Sequence, residues 1–332
     1  MSSIEQPEVA MMQLMFGKHV SYSLSAIARL GVADHMNGEA VPVEKLAEET
    51  GAHAPSLYRV MRMLAMFGVF VETPGKSFSL TRMGETLKTD APVSIRPFAT
   101  MSGDIWSTRA FENFPHTLRT GQDGITKAFG KNAFEVFAEM PEAAATFQQA
   151  MTSFSKMAGQ AIANAYDFSG IKRLADVGGG HGTLLSLILD KSAGTEGVLY
   201  DLPEVIAGAP ARERVRTETG SFFERVPAGC DGYILKHIIH DWSDELCRKI
   251  LELIRDQLPE NGRVLVCEQV VPEDGSPSLA KMLDIEMLAH CVGGKERTES
   301  EFARLFASAG LRLERVVMTE GPICVLEARG CI

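Results

Sequence analysis

The chain has 332 residues, of which 45% are hydrophobic and 23% are charged, and its formal net charge is −10 at pH 7. This composition is typical of an ordinary globular protein and excludes a disordered or fibrous one. The negative charge argues against binding to nucleic acid, because that binding needs clustered lysine and arginine. No apolar run approaches the ~20 residues that cross a bilayer. The six cysteines include no CxxC pair, so we expect a cytoplasmic protein without a membrane anchor.

An apolar stripe at helical spacing marks the N-terminal segment. It consists of Phe16, Val20, Leu24, Ile27 and Leu30, which predicts one amphipathic helix. Two interpretations stay open for this helix, since it can pack into the core of its own chain or against a second subunit.

A helix-turn-helix pattern with a wing follows. Residues 43–67 favour two helices separated at Gly51, and residues 68–87 favour two short strands around a Thr-Pro-Gly turn. This order is typical of a winged helix, so DNA binding has to be considered. Residues 40–90 carry equal numbers of basic and acidic side chains, whereas a DNA reader is normally basic. We therefore interpret the segment as a scaffold.

Residues 101–165 are rich in aromatic and methionine side chains. These side chains are Trp106, Phe111, Phe114, Phe129, Phe134, Phe137, Phe147, Met151, Phe154 and Met157. Most are expected in a core, but such a belt can also form the wall of a pocket for a flat apolar molecule.

From residue 171 onward, short β-branched runs alternate with helical stretches. The strand candidates are "RLADVG", "GVLYDL", "RVRTETGSF", "GYILKHI", "RVLVCEQVV", "LRLERVVM" and "ICVLEA". This alternation predicts a parallel sheet covered by helices on both faces. Ligands of such sheets bind at the carboxyl ends of the strands, so we expect the functional residues there.

A glycine-rich loop follows the first of these strands. In "DVGGGHG", residues 176–182, the glycines remove Cβ atoms that would hold a ligand away from the backbone, and the next helix offers free N–H groups. The loop matches neither the GxGxxG dinucleotide pattern nor a P-loop. Asp201 ends the next strand, where a carboxylate can accept both hydroxyls of a ribose. This combination favours S-adenosylmethionine, and the alternative is a tight turn beside an unrelated acid.

A second candidate site follows the strand "GYILK". Lys236 and His240 lie at its carboxyl end, and Ser243 is suited to cap the next helix. Glu268 lies in an apolar strand, where an ionised side chain needs a partner, and Glu296 lies in a polar loop. The run "HDWSDE" also suggests metal ligands, but no further histidine cluster joins it, so we expect no metal.

These segments together resemble a known family. The motifs "DVGGGHG", "YDLPEVI", "LKHIIHDWSDE", "VCEQVV" and "MLAHCVGGKERTESEF" are similar to those of S-adenosylmethionine-dependent O-methyltransferases of the caffeic acid O-methyltransferase type. The resemblance spans essentially the whole chain and implies an α/β class I methyltransferase fold, with a Rossmann-like seven-stranded sheet and a helical, winged-helix-like dimerisation domain. It implies three segments, namely a dimerisation domain at 1–100, a helical linker and pocket region at 101–165, and a catalytic domain at 166–332.

The resemblance also implies roles for individual residues. His240 is the expected general base for a hydroxyl, most simply a phenol of a small aromatic molecule, and Glu268 and Glu296 are expected to flank its ring. Gly178 is expected near the methionine part of the cofactor and Asp201 near its ribose, with Ser221, Phe222 and Lys236 toward the adenine end. The expected substrate wall contains Phe147, Met151, Met287 and Cys291. S-adenosylhomocysteine is the expected product of the cofactor, and the expected assembly is a homodimer.

Ser221 departs from the family pattern. The family usually carries aspartate at this position, whereas this chain reads "TGSFF", and a neutral hydrogen bond is roughly half as strong as a charge-assisted one. Two other functions remain as alternatives. One is an enzyme of the same fold that uses this cofactor for hydroxylation or decarboxylation, and the other is a winged-helix DNA-binding regulator.

Overall fold

The computed structural model describes residues 6–331. These residues divide into two compact units, one comprising the chain up to Thr108 with Phe137–Ser153, and the other comprising Arg109–Val136 with the chain from Phe154 onward. Among the described residues, no helix has both the length and the apolar character that crossing a membrane requires.

The N-terminal unit is mostly helical. Its elements are α1 (Pro7–Met15), α2 (Gly17–Leu30), β1 (Val41–Pro42), α3 (Val43–Thr50), α4 (Ala54–Ala65), β2 (Phe70–Thr73), β3 (Ser77–Leu80), α5 (Arg82–Glu85) and α6 (Arg96–Met101). The predicted turn at Gly51 ends α3 in the left-handed conformation, with φ +68°, and β2 and β3 form the antiparallel wing. Strand β1 pairs with β3 and was not expected, because a two-residue strand has no periodicity to read.

The N-terminal stripe divides between the core and the surface. Ile27 is buried, and Val20 and Leu24 pack against the core of the unit. Phe16 and Leu30 are 55% and 41% exposed. The stripe therefore supplies one apolar contact inside the chain and leaves a second apolar surface uncovered.

A series of helices connects the two halves of the chain. They are α7 (Ile105–Glu112), α8 (Phe114–Thr120), α9 (Gly124–Phe129), α10 (Ala133–Glu139) and α11 (Pro141–Ala165). Part of the predicted aromatic belt forms a cluster here: the ring centroids of Trp106 and Phe137 are 4.9 Å apart, and those of Phe137 and Phe147 are 4.7 Å apart. Edge-to-face and tilted contacts of this kind stabilise a core beyond the area that they bury.

The second unit contains the predicted sheet. Its elements are β4 (Arg173–Val177), α12 (Thr183–Lys191), β5 (Glu196–Asp201), α13 (Pro203–Ile206), β6 (Val215–Thr219), β7 (Gly232–Lys236), α14 (Asp244–Gln257), β8 (Arg263–Val271), α15 (Leu279–His290), β9 (Arg297–Thr298), α16 (Glu299–Ser308), β10 (Leu311–Met318) and β11 (Ile323–Gly330). The main strand order is β10-β11-β8-β7-β4-β5-β6, and β9 pairs with β8. All seven strand candidates are present, which confirms the predicted α/β fold. The sheet is mixed and not wholly parallel as predicted, because β11 runs antiparallel to both β8 and β10, and the two-residue β9 adds an eighth strand.

Both faces of the sheet are buried. One core includes Ile250 of α14 and Phe302 of α16, and the other includes Ile162 of α11 and Leu185 of α12. Parallel strands covered on both faces read as continuous apolar runs. Strands β4 to β8 are parallel, so their carboxyl ends lie along one edge of the sheet.

Candidate active site

The glycine loop after β4 has the conformation that its residues predict. Gly178, Gly180 and Gly182 have φ values of +70°, +59° and +75°, which side chains with a Cβ rarely adopt. A Cβ on Gly178 would lie 2.5 Å from Cδ1 of Ile238, so a larger residue would displace that side chain in addition to straining the backbone. Gly182 caps α12, and the loop delivers bare backbone to the start of that helix.

Asp201 lies beside this loop at the end of β5. Its Oδ2 accepts the N–H of Gly180 at 2.8 Å, and its Oδ1 accepts the N–H of Leu202 at 2.7 Å. Each carboxylate oxygen can accept a second hydrogen bond. The backbone thus orients Asp201 while both oxygens keep acceptor capacity for a ligand.

Ser221 and Phe222 follow β6. The Oγ of Ser221 accepts the N–H of Phe223 at 3.3 Å, and the ring of Phe222 lies 3.5 Å from the position that a Cβ on Gly178 would occupy. The structure therefore brings Phe222 to the glycine loop, while the hydroxyl of Ser221 supports the local turn.

Lys236 ends β7 and is accompanied by a buried acid that sequence reasoning missed. Burial lowers the pKa of Lys236, while Asp176 and Glu268 oppose this shift. Asp176 is 2% exposed, and burial raises its pKa to about 7. Its Oδ2 has no hydrogen-bond partner among residues 6–331. The acid of "DVGGGHG" therefore lies under the glycine loop as a charge partner for Lys236.

The loop, Asp201, Phe222 and Lys236 together fit S-adenosylmethionine. They stand at the carboxyl ends of β4, β5, β6 and β7, which are adjacent or nearly adjacent in the sheet. A backbone cradle without Cβ atoms, an acid beside it and an aromatic ring match a nucleoside that carries no pyrophosphate.

His240 lies in a short 3₁₀ turn, Ile239–Asp241, directly after β7. Its Nδ1 is 2.6 Å from Oε1 of Glu296 and 3.6 Å from Oε2 of Glu268. Its Nε2 is 3.5 Å from Oδ1 of Asp241. Since Nδ1 is held by Glu296, Nε2 is the ring atom left for proton transfer.

Glu268 binds the backbone of this turn more closely than it binds the ring. Its Oε1 accepts the N–H groups of Ile238, Ile239 and His240 at 3.1, 3.0 and 3.3 Å. Burial alone raises the pKa of Glu268, but His240 and His237 lower it to about 2. The carboxylate is therefore an ionised, fully buried anchor for the segment that carries His240.

Glu296 completes the pairing with the imidazole. It is 4% exposed, and its N–H donates to Oδ1 of Asp284 at 2.8 Å. Burial raises the pKa of Glu296, and its hydrogen bond with His240 opposes that shift. Burial of His240 lowers the pKa of the ring, but Glu268, Asp241 and Glu296 raise it to about 10. The neighbouring carboxylates therefore favour the imidazolium form of His240.

Asp241 and His237 also contact the site and were not predicted. Asp241 was visible only as the neighbour of His240. His237 has φ +53°, burial lowers its pKa to about 4, and its Nδ1 lies 3.4 Å from Oε2 of Glu268. His237, His240 and Glu268 offer ligand atoms within 4.8 Å of one another, so they are the described residues that could hold a metal ion. That the reaction needs no metal stays a prediction.

Two of the four predicted wall residues lie near Asp241. Sγ of Cys291 is 3.7 Å from Oδ1 of Asp241, and Sδ of Met287 is 3.9 Å from the same sulfur. These two side chains therefore lie on the Nε2 side of His240. Phe147 and Met151 lie on α11 in the other unit, and their place in the wall stays a prediction.

Comparison with known proteins identifies the family. Residues 111–312 match an O-methyltransferase domain, and residues 12–90 match an O-methyltransferase dimerisation domain. The chain is 39% identical to a phenazine O-methyltransferase of Lysobacter antibioticus, over 96% of this chain and 95% of that one. It is 32% identical to a 3-amino-4-hydroxybenzoate 4-O-methyltransferase of Streptomyces cremeus, over 92% of this chain and 86% of that one.

Solved structures agree with this assignment. The crystal structure of a methyltransferase of calicheamicin biosynthesis, with S-adenosylhomocysteine bound, is 34% identical, and the match covers 98% of each chain with a TM-score of 0.90. The chain belongs to the S-adenosylmethionine-dependent O-methyltransferases, with the catalytic and dimerisation domains of that family.

Proposed function

We propose that this enzyme methylates the phenolic hydroxyl of a small, flat aromatic molecule and that His240 is its general base. The observation that carries the proposal is the orientation of the imidazole. Glu296 holds Nδ1 at 2.6 Å, while Nε2 points toward Asp241 and the two sulfur side chains next to it. In this arrangement a neutral ring donates from Nδ1 to Glu296 and accepts a proton at Nε2.

The raised pKa of His240 suits this step. A free phenol has a pKa near ~10, so proton transfer to an ordinary histidine with a pKa of ~6.5 is uphill by roughly 5 kcal/mol. Glu268, Asp241 and Glu296 bring the pKa of His240 to about 10, which removes most of this difference for transfer to the neutral ring. The neutral ring is then the minor form near neutral pH, so turnover should depend on pH. The same carboxylates stabilise the imidazolium that forms, as a buried acid does in other histidine-based sites.

The remaining residues bind and orient. S-adenosylmethionine supplies an electrophilic methyl group when it is bound. The backbone at Gly178 would receive its methionine part, Asp201 would accept from its ribose, and Phe222 and Lys236 would line its adenine end. Most of the remaining acceleration is expected from holding the acceptor oxygen in line, since orientation alone supplies ~7–11 kcal/mol in favourable cases.

Names of relatives and nearby side chains support an aromatic acceptor. Two relatives are named for a phenazine and an aminohydroxybenzoate. Thioether and thiol groups such as those of Met287 and Cys291 pack favourably on aromatic rings. We propose that Phe147 and Met151 complete the wall.

A methyl-transfer assay tests this function. The purified chain is incubated with methyl-labelled S-adenosylmethionine, EDTA and a panel of phenols, with the corresponding anilines and methyl ethers as controls. Labelled aryl methyl ethers should form from the phenols alone, and EDTA should not reduce their yield. If the cofactor is consumed and no methylated product forms, or only hydroxylated or decarboxylated product appears, the proposal is wrong.

We propose that the chain forms a homodimer through its N-terminal domain. Exposed apolar side chains cluster on α1 and α2, among them Leu14 at 75% and Tyr22 at 53% exposure. A surface of this kind on a soluble protein usually marks an interface. Light scattering after size exclusion should give twice the 36.1 kDa mass of one chain, and Leu14→Asp should shift it toward the monomer. Met318→Asp is the matched control, since Met318 is 71% exposed on a strand of the other unit.

Ser221→Asp is expected to tighten cofactor binding. A carboxylate at this position can still accept the N–H of Phe223 and adds a charge-assisted bond toward the adenine end, worth about twice a neutral one. Isothermal titration with S-adenosylhomocysteine should show a lower Kd by about three- to tenfold, which corresponds to roughly 1 kcal/mol. Ser221→Asn adds similar bulk without charge and serves as the control. Equal affinity in all three proteins contradicts this role of residue 221.

We retain three broader proposals from the sequence. The segments 1–100, 101–165 and 166–332 act as dimerisation, linker and catalytic regions. The enzyme is cytoplasmic, a proposal supported by six free cysteines. The protein does not bind nucleic acid. An electrophoretic shift of DNA by the protein at low salt would show the opposite, provided that replacing the basic residues of the wing with acidic ones abolishes the shift.

A further inference from the structure

Arg297 is a fully buried arginine next to the catalytic cluster. It is the first residue of β9, which pairs with β8 through Val270 and Arg297, and its side chain is 0% exposed. A buried guanidinium is costly unless its donors are used. Its hydrogen-bond partners therefore show which part of the fold it stabilises.

The guanidinium spans the turn that carries His240. Nη1 donates to the carbonyl of Ile239 at 3.0 Å, and Nη2 donates to the carbonyl of Trp242 at 3.0 Å. Nε and Nη2 both donate to Oδ1 of Asp244, at 2.9 and 2.7 Å. The planar fork thus holds the residues on both sides of His240 and the start of α14.

The same segment carries Glu296. The N–H of Lys295 donates to the carbonyl of His240 at 2.9 Å, and a Cβ on Gly294 would lie 2.7 Å from that carbonyl oxygen. Glu296 therefore stands between Lys295 and Arg297, which are both fastened to the turn of His240. The thiol of Cys247 on α14 also reaches the carbonyls of Ile239 and Trp242, at 3.1 and 3.3 Å. Among residues 6–331, Arg297 is the side chain that connects both carbonyls to the segment of Glu296.

We propose that Arg297 is a positioning residue that sets the hydrogen bond between Glu296 and His240. It does not touch the reacting atoms, and it acts by fixing the backbone of the base and the backbone of its carboxylate partner in one frame. This inference rests on the proposed function of His240 as the base.

A positioning role differs from ordinary stabilisation in what a conservative variant changes. Arg297→Lys keeps the positive charge but loses the fork, because an ammonium cannot span two carbonyls and a carboxylate in one plane. The groups facing His240 are Glu268, Glu296, Asp241 and His237. In this variant the four charged or titratable groups stay, but the turn of His240 and the backbone of Glu296 are no longer held in one frame. The hydrogen bond between Nδ1 and Glu296 should therefore weaken, and the pKa of His240 should fall.

Two readouts test the proposal. Steady-state kinetics of Arg297→Lys should show kcat lowered by about 10²-fold, the scale of a 1 Å misplacement, with KM for the cofactor changed by less than about threefold. An NMR titration of the His240 imidazole, which needs no turnover, should show its pKa lowered by at least about one unit. Arg255→Lys is the matched control. Arg255 also donates to a backbone carbonyl, that of Ala309, away from the site, and its variant should resemble wild type in both readouts.

Asp244→Asn gives a second measurement should Arg297→Lys fail to fold. Asp244 is 56% exposed on its side chain, and its replacement weakens the hold on the fork without entering the core. A drop of kcat and of the His240 pKa in the same direction supports the proposal. Wild-type values in a folded Arg297→Lys, or in Asp244→Asn when only that variant folds, overturn it, as does a loss no larger than that of Arg255→Lys.

The proposed function fails in a different way. In that case, His240→Asn retains turnover in an otherwise wild-type protein, whatever the Arg297 variants show.

Discussion

His240→Asn is expected to lower kcat by about 10²- to 10⁴-fold, the range for removal of a general base. The asparagine amide can still reach toward Glu296, but it cannot accept a phenolic proton. Rates should be measured with saturating cofactor and phenol, by product formation, so that binding and chemistry are separated.

Cofactor binding and a second histidine provide the controls. His240→Asn should bind S-adenosylhomocysteine with a Kd within about threefold of wild type, because Gly178 and Asp201 are untouched. His53→Asn replaces an exposed histidine before α4 with another good N-cap residue and should keep full activity. Full turnover by His240→Asn would remove this residue from the mechanism.

Turnover of the wild-type enzyme is expected to increase steeply with pH. The base is active only as neutral imidazole, and its pKa is raised to about 10, so the active fraction should grow about tenfold per pH unit from pH ~7 until it levels off near that value. Asp241→Asn removes one of the charges that raise this pKa, so its profile should level off at lower pH.

A more acidic phenol separates the contribution of the base His240 from that of the substrate's own pKa. A phenol with electron-withdrawing groups is already ionised near neutral pH, so its methylation should depend far less on pH and on His240. A wild-type profile that is flat between pH 7 and 10 with an ordinary phenol would contradict the raised pKa of His240.

The stability of the folded protein should decrease as the pH rises, whereas turnover should increase. A histidine whose pKa is raised on folding contributes stability that is complete below its unfolded value of ~6.5 and is lost as pH rises toward the folded value. Urea unfolding should therefore show wild type losing more stability than His240→Asn between pH 6.5 and 10. Equal losses in both proteins would indicate that folding does not raise the pKa of this ring.

Local pattern predicted most elements of the fold. The alternation of apolar runs with helical stretches located all seven strands, and the glycines after Val177 located the loop. Periodicity and backbone preference act over a few residues, so they can be read from neighbours in the chain. Strand β1 was not predicted, because two residues are too few to show a periodic pattern.

The sequence predicted which residues form the candidate site, but it did not predict which of them contact one another. The ring of His240 meets Glu268 because Lys236 pairs with Cys267 in the register of β7 and β8, which places Glu268 beside the turn after β7. It meets Glu296 because Arg297, the next residue, pairs with Val270 of β8. That Glu268 binds three backbone N–H groups depends on this register.

The sequence by itself determined the fold class, and it predicted the cofactor loop and His240 as the base. Tertiary structure alone decided which charges surround that imidazole and which groups Arg297 contacts. The reason is physical: both depend on burial and on charges from β7, β8 and β9, which lie far apart in the chain and become neighbours only when the strands pair.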